Sequence, residues 1–173
     1  LDPVGVGATV YRTSTARELL QEVPPAVIRG NASEIMALLE EEVQTKGVDS
    51  TAASHAAVDV ARRLNRIYGS VVCVSGETDY IVYGDDITKI MNGHPMMTKV
   101  TGMGCIATAL CGAFAAVNPS FAEAASQAMA VMGIAGEMAA ENAPGPGSLQ
   151  VAFNDVLYRL SEEDIRRYLR TDG

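Results

Sequence analysis

Val100-Thr101-Gly102-Met103-Gly104-Cys105-Ile106-Ala107-Thr108-Ala109-Leu110 sets two glycines in a short turn that runs straight into an apolar helix of small residues. Glycine lets a backbone turn tightly and lets a ligand approach it closely. The first amides of a helix have no intrahelical partner, and the helix dipole adds partial positive charge at that end. The stretch is therefore a candidate anion hole built from Gly102, Met103, Gly104 and Cys105, with phosphate the usual anion. Cys105 stands on its lip, where a helix N-terminus favours the thiolate. The same residues also suit a plain turn into a helix, with Cys105 as a small core residue. On this stretch alone both readings stay open.

The rest of the chain narrows the choice. Its 173 residues suit one domain, and 48% hydrophobic content is enough for a substantial core. Ala, Gly and Met are plentiful, aromatics are few and Trp is absent, which favours close helix packing over an aromatic binding face. The formal net charge is -8 and no Lys or Arg block occurs, which speaks against nucleic acid as a partner. Arg62-Arg63 and Arg166-Arg167 lie among acids and read as solvated helix faces. Cys73, Cys105 and Cys111 show no paired or metal-like spacing, which points to a reducing compartment, the cytoplasm. No secretory signal and no bilayer-length apolar run is visible, so no membrane is expected. The chain opens Leu1-Asp2-Pro3-Val4, without Met and with a strand already under way. The expectation is one domain over residues 1–173 that lacks an N-terminal portion.

Taken in order, Leu1–Val4 reads as a buried strand ending in the loop Gly5-Val6-Gly7-Ala8-Thr9. Ser14 is the expected cap of a helix through Leu19 and Leu20, stopped by Pro24-Pro25. Ala26-Val27-Ile28 is a strand that exits through Arg29-Gly30-Asn31. A helix with Ile35, Met36, Leu38 and Leu39 follows, then the solvated acids Glu40-Glu41-Glu42 and a polar loop from Gln44 to Ser50. Ala53, Ala56, Ala57, Val60, Leu64 and Ile67 recur at helical period, with His55 and Asp59 an exposed pair on the other face. Val71–Val74 is a strand ending at Ser75-Gly76, and Tyr80–Tyr83 with Ile87–Ile90 reads as a hairpin. Asn92-Gly93-His94-Pro95 is a turn, with His94 a loop residue. Helices follow the glycine turn to Val117 and run from Ser120 towards Glu141. Pro144-Gly145-Pro146-Gly147 is a loop, then come a helix through Phe153, Val156, Leu157 and Leu160 and a last one capped at Ser161.

This alternation predicts a three-layer α/β/α domain with a mostly parallel central sheet and an antiparallel edge hairpin. In such sheets ligands bind beyond the carboxyl ends of the strands. The loop after Val4, Arg29-Gly30-Asn31, Ser75-Gly76 and the glycine turn all fall at that edge. Phosphoryl transfer asks for amides at the moving phosphoryl group, a cation, a carboxylate to organise magnesium and a group to receive the alcohol proton. The glycine turn offers the amides, and Arg29 can meet a phosphate bidentately. Glu34 and Asp2 can organise Mg2+ through water, and Cys105 can take the proton. Each has a plainer reading. Glu34 sits in a first helical turn, where the dipole favours a carboxylate anyway. Asn31 or Ser33 can be a simple cap, Asp2 a turn residue and Arg29 half of a surface ion pair. Their convergence at one sheet edge puts the functional reading ahead.

These residues also carry a resemblance. Asp2-Pro3-Val4-Gly5-Val6-Gly7-Ala8-Thr9, Val27 to Ile35, Asn92-Gly93-His94-Pro95 and Lys99 to Cys105 resemble hydroxyethylthiazole kinases of the ribokinase-like superfamily, over nearly the whole chain. Asn31-x-x-Glu34 resembles the superfamily's magnesium and phosphate motif. Gly102-x-Gly104-Cys105 resembles its anion hole, with Cys where most members carry a catalytic Asp. The resemblance implies magnesium-dependent transfer of the γ-phosphoryl group of ATP to the primary hydroxyl of 4-methyl-5-(2-hydroxyethyl)thiazole, in thiamine salvage. It implies that Arg29 and Ser75 contact ATP, Gly102 lines the thiazole site, Asn31, Glu34 and Asp2 serve magnesium and phosphate, and Cys105 accepts the proton. It also implies a homotrimer with active sites at subunit boundaries. Ser75 stands where the family is expected to carry Thr, which keeps the hydroxyl. The alternatives are a related kinase acting on hydroxymethylpyrimidine or pyridoxal, a non-catalytic nucleotide-binding subunit, and an enzyme using Cys105 as nucleophile. No Cys-x5-Arg loop and no His partner favours the last.

Overall fold

The computed structural model describes residues 1–39 and 50–172. The acidic run Glu40-Glu41-Glu42 and most of the polar loop expected after it lie outside the described residues. The chain divides into two compact units, Leu1–Thr88 and Lys89–Gly173.

In the first unit, α1 spans Val10–Glu22 and is capped by Thr9, whose hydroxyl accepts the Arg12 amide at 3.2 Å. The expected cap, Ser14, lies inside the helix and donates to the Tyr11 carbonyl instead. Thr9 wins because its backbone is extended, the geometry a cap requires. β1 is Val27–Asn31, longer than predicted. The predicted strand Leu1–Val4 is reduced to a single bridge to β1. The Leu1 nitrogen donates to the Val27 carbonyl (2.8 Å), and the Leu1 carbonyl accepts the Arg29 amide (3.0 Å). Pro3 has no amide to continue a ladder, and the chain turns there, with the Val6 amide on the Pro3 carbonyl.

α2 is Ala32–Leu38 and α3 is Ser50–Tyr68. The buried stripe of α3 is Ala57, Val60, Ala61 and Leu64. Ala56 and Ile67, expected on that stripe, are exposed, because partly buried Tyr68 takes the core-facing place next to Ile67. Asp59 pairs with Arg62 at 3.4 Å rather than with His55, opposite charges one turn apart being the stronger match. β2 (Val71–Ser75) runs parallel to β1, from Val27 opposite Val71 to Asn31 opposite Ser75. β3 (Asp79–Tyr83) pairs antiparallel with β2, and β4 (Asp86–Ile90) leads into the second unit. The sheet is thus mixed. Ile28, Ile35, Ala57, Leu64, Val72 and Val82 are sealed from solvent and form the centre of this unit's core.

In the second unit, a 3-10 turn (Pro95–Lys99) precedes α4 (Met103–Ala115), α5 (Phe121–Ala140), α6 (Pro146–Arg159) and α7 (Glu162–Tyr168). Pro146-Gly147, expected in a loop, opens α6, where the fixed φ of proline suits a first helical position. An unpredicted strand, β5 (Thr171–Asp172), lies antiparallel to β4; two residues are too few to show a period. The small residues of α5 do pack closely. A methyl group on Gly133 would fall 2.6 Å from the backbone carbon and oxygen of Asn92. That backbone cannot retreat, because the Asn92 side chain donates to the Tyr168 carbonyl and accepts the Arg170 amide, both at 2.8 Å. His94, as expected, is a loop residue, its Nδ1 accepting the Met96 amide. Among the described residues no helix is long and apolar enough to cross a membrane.

Candidate active site

Arg29 leaves β1 with its side chain only 12% exposed. Its Nη2 donates to the Ser75 hydroxyl at 2.7 Å, and its Nη1 lies 3.9 Å from the Asp2 carboxylate. The Ser75 hydroxyl in turn donates to the Gly30 carbonyl at 3.3 Å. The parallel register makes this possible by setting Asn31 opposite Ser75 at the carboxyl ends of both strands. Three residues chosen from the sequence, Asp2, Arg29 and Ser75, are therefore one cluster. The Arg29 Nε is buried and has no hydrogen-bond partner among the described residues. A buried donor left unmade is costly, and a guanidinium edge of this kind matches a phosphate or carboxylate.

Asn31 and Glu34 form a reciprocal cap at the start of α2. The Asn31 Oδ1 accepts the Glu34 amide at 3.0 Å, and the Glu34 Oε2 accepts the Asn31 amide at 2.9 Å. The plain capping role weighed for Asn31 is thus real. Glu34 does more, because its Oε1 accepts the Gly5 amide at 3.0 Å. One carboxylate fixes the loop after Pro3 to the end of β1. Asp2, Asn31 and Glu34 supply hard oxygen donors only. Among the described residues no group of three or more His, Cys, Asp or Glu is placed to hold a metal ion. A protein cage is not what this set offers. It suits Mg2+, which keeps much of its water and takes one or two carboxylates along with substrate phosphates.

Sequence reasoning missed Asp79. It opens β3, is 6% exposed, and its Oδ1 accepts the Gly76 amide at 2.9 Å. Burial pushes its carboxyl up to about 7, against the lowering effects of the Gly76 amide and the Arg29 guanidinium. The spacing Gly76-x-x-Asp79 is a common side-chain closure of a turn, visible in the sequence; the burial is not. A carboxyl whose folded pKa exceeds its unfolded value binds more protons when folded. Between about pH 4 and 7 it therefore lowers stability as pH rises. The uncharged Asp79→Asn is expected to match the wild type near pH 4. By pH 8 it should exceed it by a few kcal/mol, on the order of 2–4, in urea unfolding.

The glycine turn belongs to the second unit. Gly102 caps α4 in the left-handed region, with φ 95° and open space where a side chain would go, so conformation alone demands glycine there. Gly104 is not part of the turn, because Gly102 completes the reversal and α4 begins at Met103. Met103, Gly104 and Cys105 are the first helical residues, and the first α4 bond runs from the Ile106 amide to the Gly102 carbonyl. Their amides therefore have no carbonyl behind them within the helix. The Met103 side chain is buried while Cys105 is exposed.

An α/β chain with a mixed sheet, an arginine cluster at strand ends and a helix begun by a left-handed glycine falls in a known class of folds. It is similar to a ribokinase-like superfamily protein from Enterococcus faecalis V583, with TM-score 0.57 and 16% identity over 84% of this chain and 50% of that one. This establishes the ribokinase-like fold. The Hydroxyethylthiazole kinase family profile matches residues 1–163, and the chain belongs to that family. It is 67% identical over 171 residues to a hydroxyethylthiazole kinase of Syntrophus aciditrophicus (strain SB), covering 98% of this chain and 63% of the relative. A solved hydroxyethylthiazole kinase protein from Pyrococcus horikoshii OT3 superposes with TM-score 0.87 at 38% identity, over 99% of this chain and 63% of that one. The chain thus spans 63% of the length of these relatives.

Proposed function

We propose that the protein to which this chain belongs is a hydroxyethylthiazole kinase that phosphorylates 4-methyl-5-(2-hydroxyethyl)thiazole with ATP in thiamine salvage. The Arg29 cluster carries the reading: a buried guanidinium with an unused donor, bonded to Ser75 at the carboxyl ends of β1 and β2. In this reading Arg29 and Ser75 hold ATP. Asp2, Asn31 and Glu34 face Mg2+, partly through water, and when bound the ion offsets the charge of the phosphates. The amides of Met103, Gly104 and Cys105 receive the moving phosphoryl group, and Gly102 lines the thiazole pocket. The primary hydroxyl oxygen bonds to the γ-phosphorus, the bond to the ADP oxygen breaks, and the hydroxyl proton passes to the Cys105 sulfur. A loose transition state needs little early deprotonation of the nucleophile, so a cysteine thiolate, which becomes the thiol on taking the proton, serves where a carboxylate is usual. The chain is read as one ribokinase-like domain of a cytoplasmic homotrimer.

The test is ADP release by the full-length protein with hydroxyethylthiazole, ATP and Mg2+. Saturable turnover dependent on all three is expected. Turnover only with hydroxymethylpyrimidine or pyridoxal would reassign the substrate. ATP binding without turnover on any of the three alcohols would overturn the kinase reading in favour of a nucleotide-binding subunit.

A further inference from the structure

We propose that Asp79 is the positioning residue of the nucleotide site, holding the Ser75-Gly76 turn in place through the Gly76 amide. This rests on the reading of Arg29 and Ser75 as ATP contacts. The connection is continuous. The Asp79 Oδ1 accepts the Gly76 amide at 2.9 Å, across a turn whose first residue, Ser75, accepts from the Arg29 Nη2 at 2.7 Å. Ser75 is also anchored to the Gly30 carbonyl. Gly76 and Glu77 are exposed at the tip of this turn, so among the described residues none packs it down from outside. On its inner side the turn is held by Asp79 at the head of β3, a strand paired in register with β2. The acid is buried to 6% exposure, where desolvation opposes its charged form. A buried carboxyl that lowers stability at neutral pH calls for an offsetting role. The role on the page is the acceptor it gives to Gly76, next to the hydroxyl that Arg29 holds.

A carboxyl acting this way touches neither substrate, so its loss should fall on ATP binding and not on the chemical step. Asp79→Ala in the full-length protein is expected to raise KM for ATP about tenfold, the equivalent of one lost hydrogen bond. It should leave kcat within threefold and KM for the thiazole alcohol unchanged. Asp79→Asn, whose side-chain oxygen can still accept the Gly76 amide, is expected to bring KM for ATP back to within threefold of wild type. If the alanine variant does not fold, Asp79→Ser, polar but too short to reach the amide, takes its place. An unchanged KM for ATP in the alanine or serine variant would overturn the proposal alone. So would equal rises in both KM values, or an asparagine variant as impaired as alanine. A wild-type protein with no saturable dependence on ATP would overturn the nucleotide reading itself, and the proposal with it.

Discussion

Cys105→Ala is expected to lower kcat about a hundredfold while moving KM for ATP less than threefold, the pattern of a lost proton acceptor. Cys105 is exposed in the first turn of α4 and its side chain caps nothing, since Gly102 begins the helix without a side-chain hydrogen bond. Removing the sulfur should therefore leave the fold intact, and thermal unfolding should shift little. Single-turnover measurement of ADP formation with the thiazole alcohol in excess reads the chemical step directly. A variant that keeps full kcat would reduce Cys105 to a small residue that happens to start a helix. The substitution would then say nothing against the kinase reading, which rests on Arg29 and Ser75.

Glu34→Ala carries the second large effect, and it differs in kind. The same carboxylate holds the Gly5 amide and the Asn31 amide, so its loss frees the loop after Pro3 and removes the reciprocal half of the α2 cap, while the Asn31 side chain still accepts the residue-34 amide. Part of this region is open to solvent, so water replaces some of the lost bonding and stability should fall by about 2 kcal/mol. Activity is expected to fall more than a hundredfold, because the proposed magnesium face loses a carboxylate and the anchor of the loop at Gly5 together. Glu34→Gln separates the two contributions. It keeps an acceptor for one of the amides and should recover part of the stability. If its kcat stays near the alanine level even at saturating Mg2+, the charge is what matters. If Glu34→Gln were as active as wild type, Glu34 would be a clamp only.

The local caps of this site, and the meeting of Arg29 with Ser75 at one sheet edge, were legible in the sequence; its other long-range bonds were not. Asn31-x-x-Glu34 announces a cap because both partners lie within one turn, and the cap is there. Ser120 and Ser161 announce helix starts for the same reason. No periodicity could have shown that the Glu34 carboxylate also reaches back to Gly5, since that bond depends on how the loop returns over β1. Nothing local marks Asp79 as buried, since it follows Glu77 and Thr78, and only the pairing of β3 with β2 covers it. The strand expected at Leu1–Val4 failed at Pro3 and survived as one bridge at Leu1, a distinction made by a missing amide, not by hydrophobicity. Gly104 misled in the opposite direction. Its kinship with Gly102 suggested a two-glycine turn, whereas one left-handed residue was enough.

The cysteines differ sharply in their access to solvent. Cys73 is sealed in β2 and Cys111 is covered inside α4, while Cys105 alone is exposed. Within residues 1–173, a thiol-reactive fluorophore under native conditions therefore has one exposed thiol to meet, at the first turn of α4. Protection of that thiol from the dye by added nucleotide or thiazole alcohol is the signature expected of the proposed site.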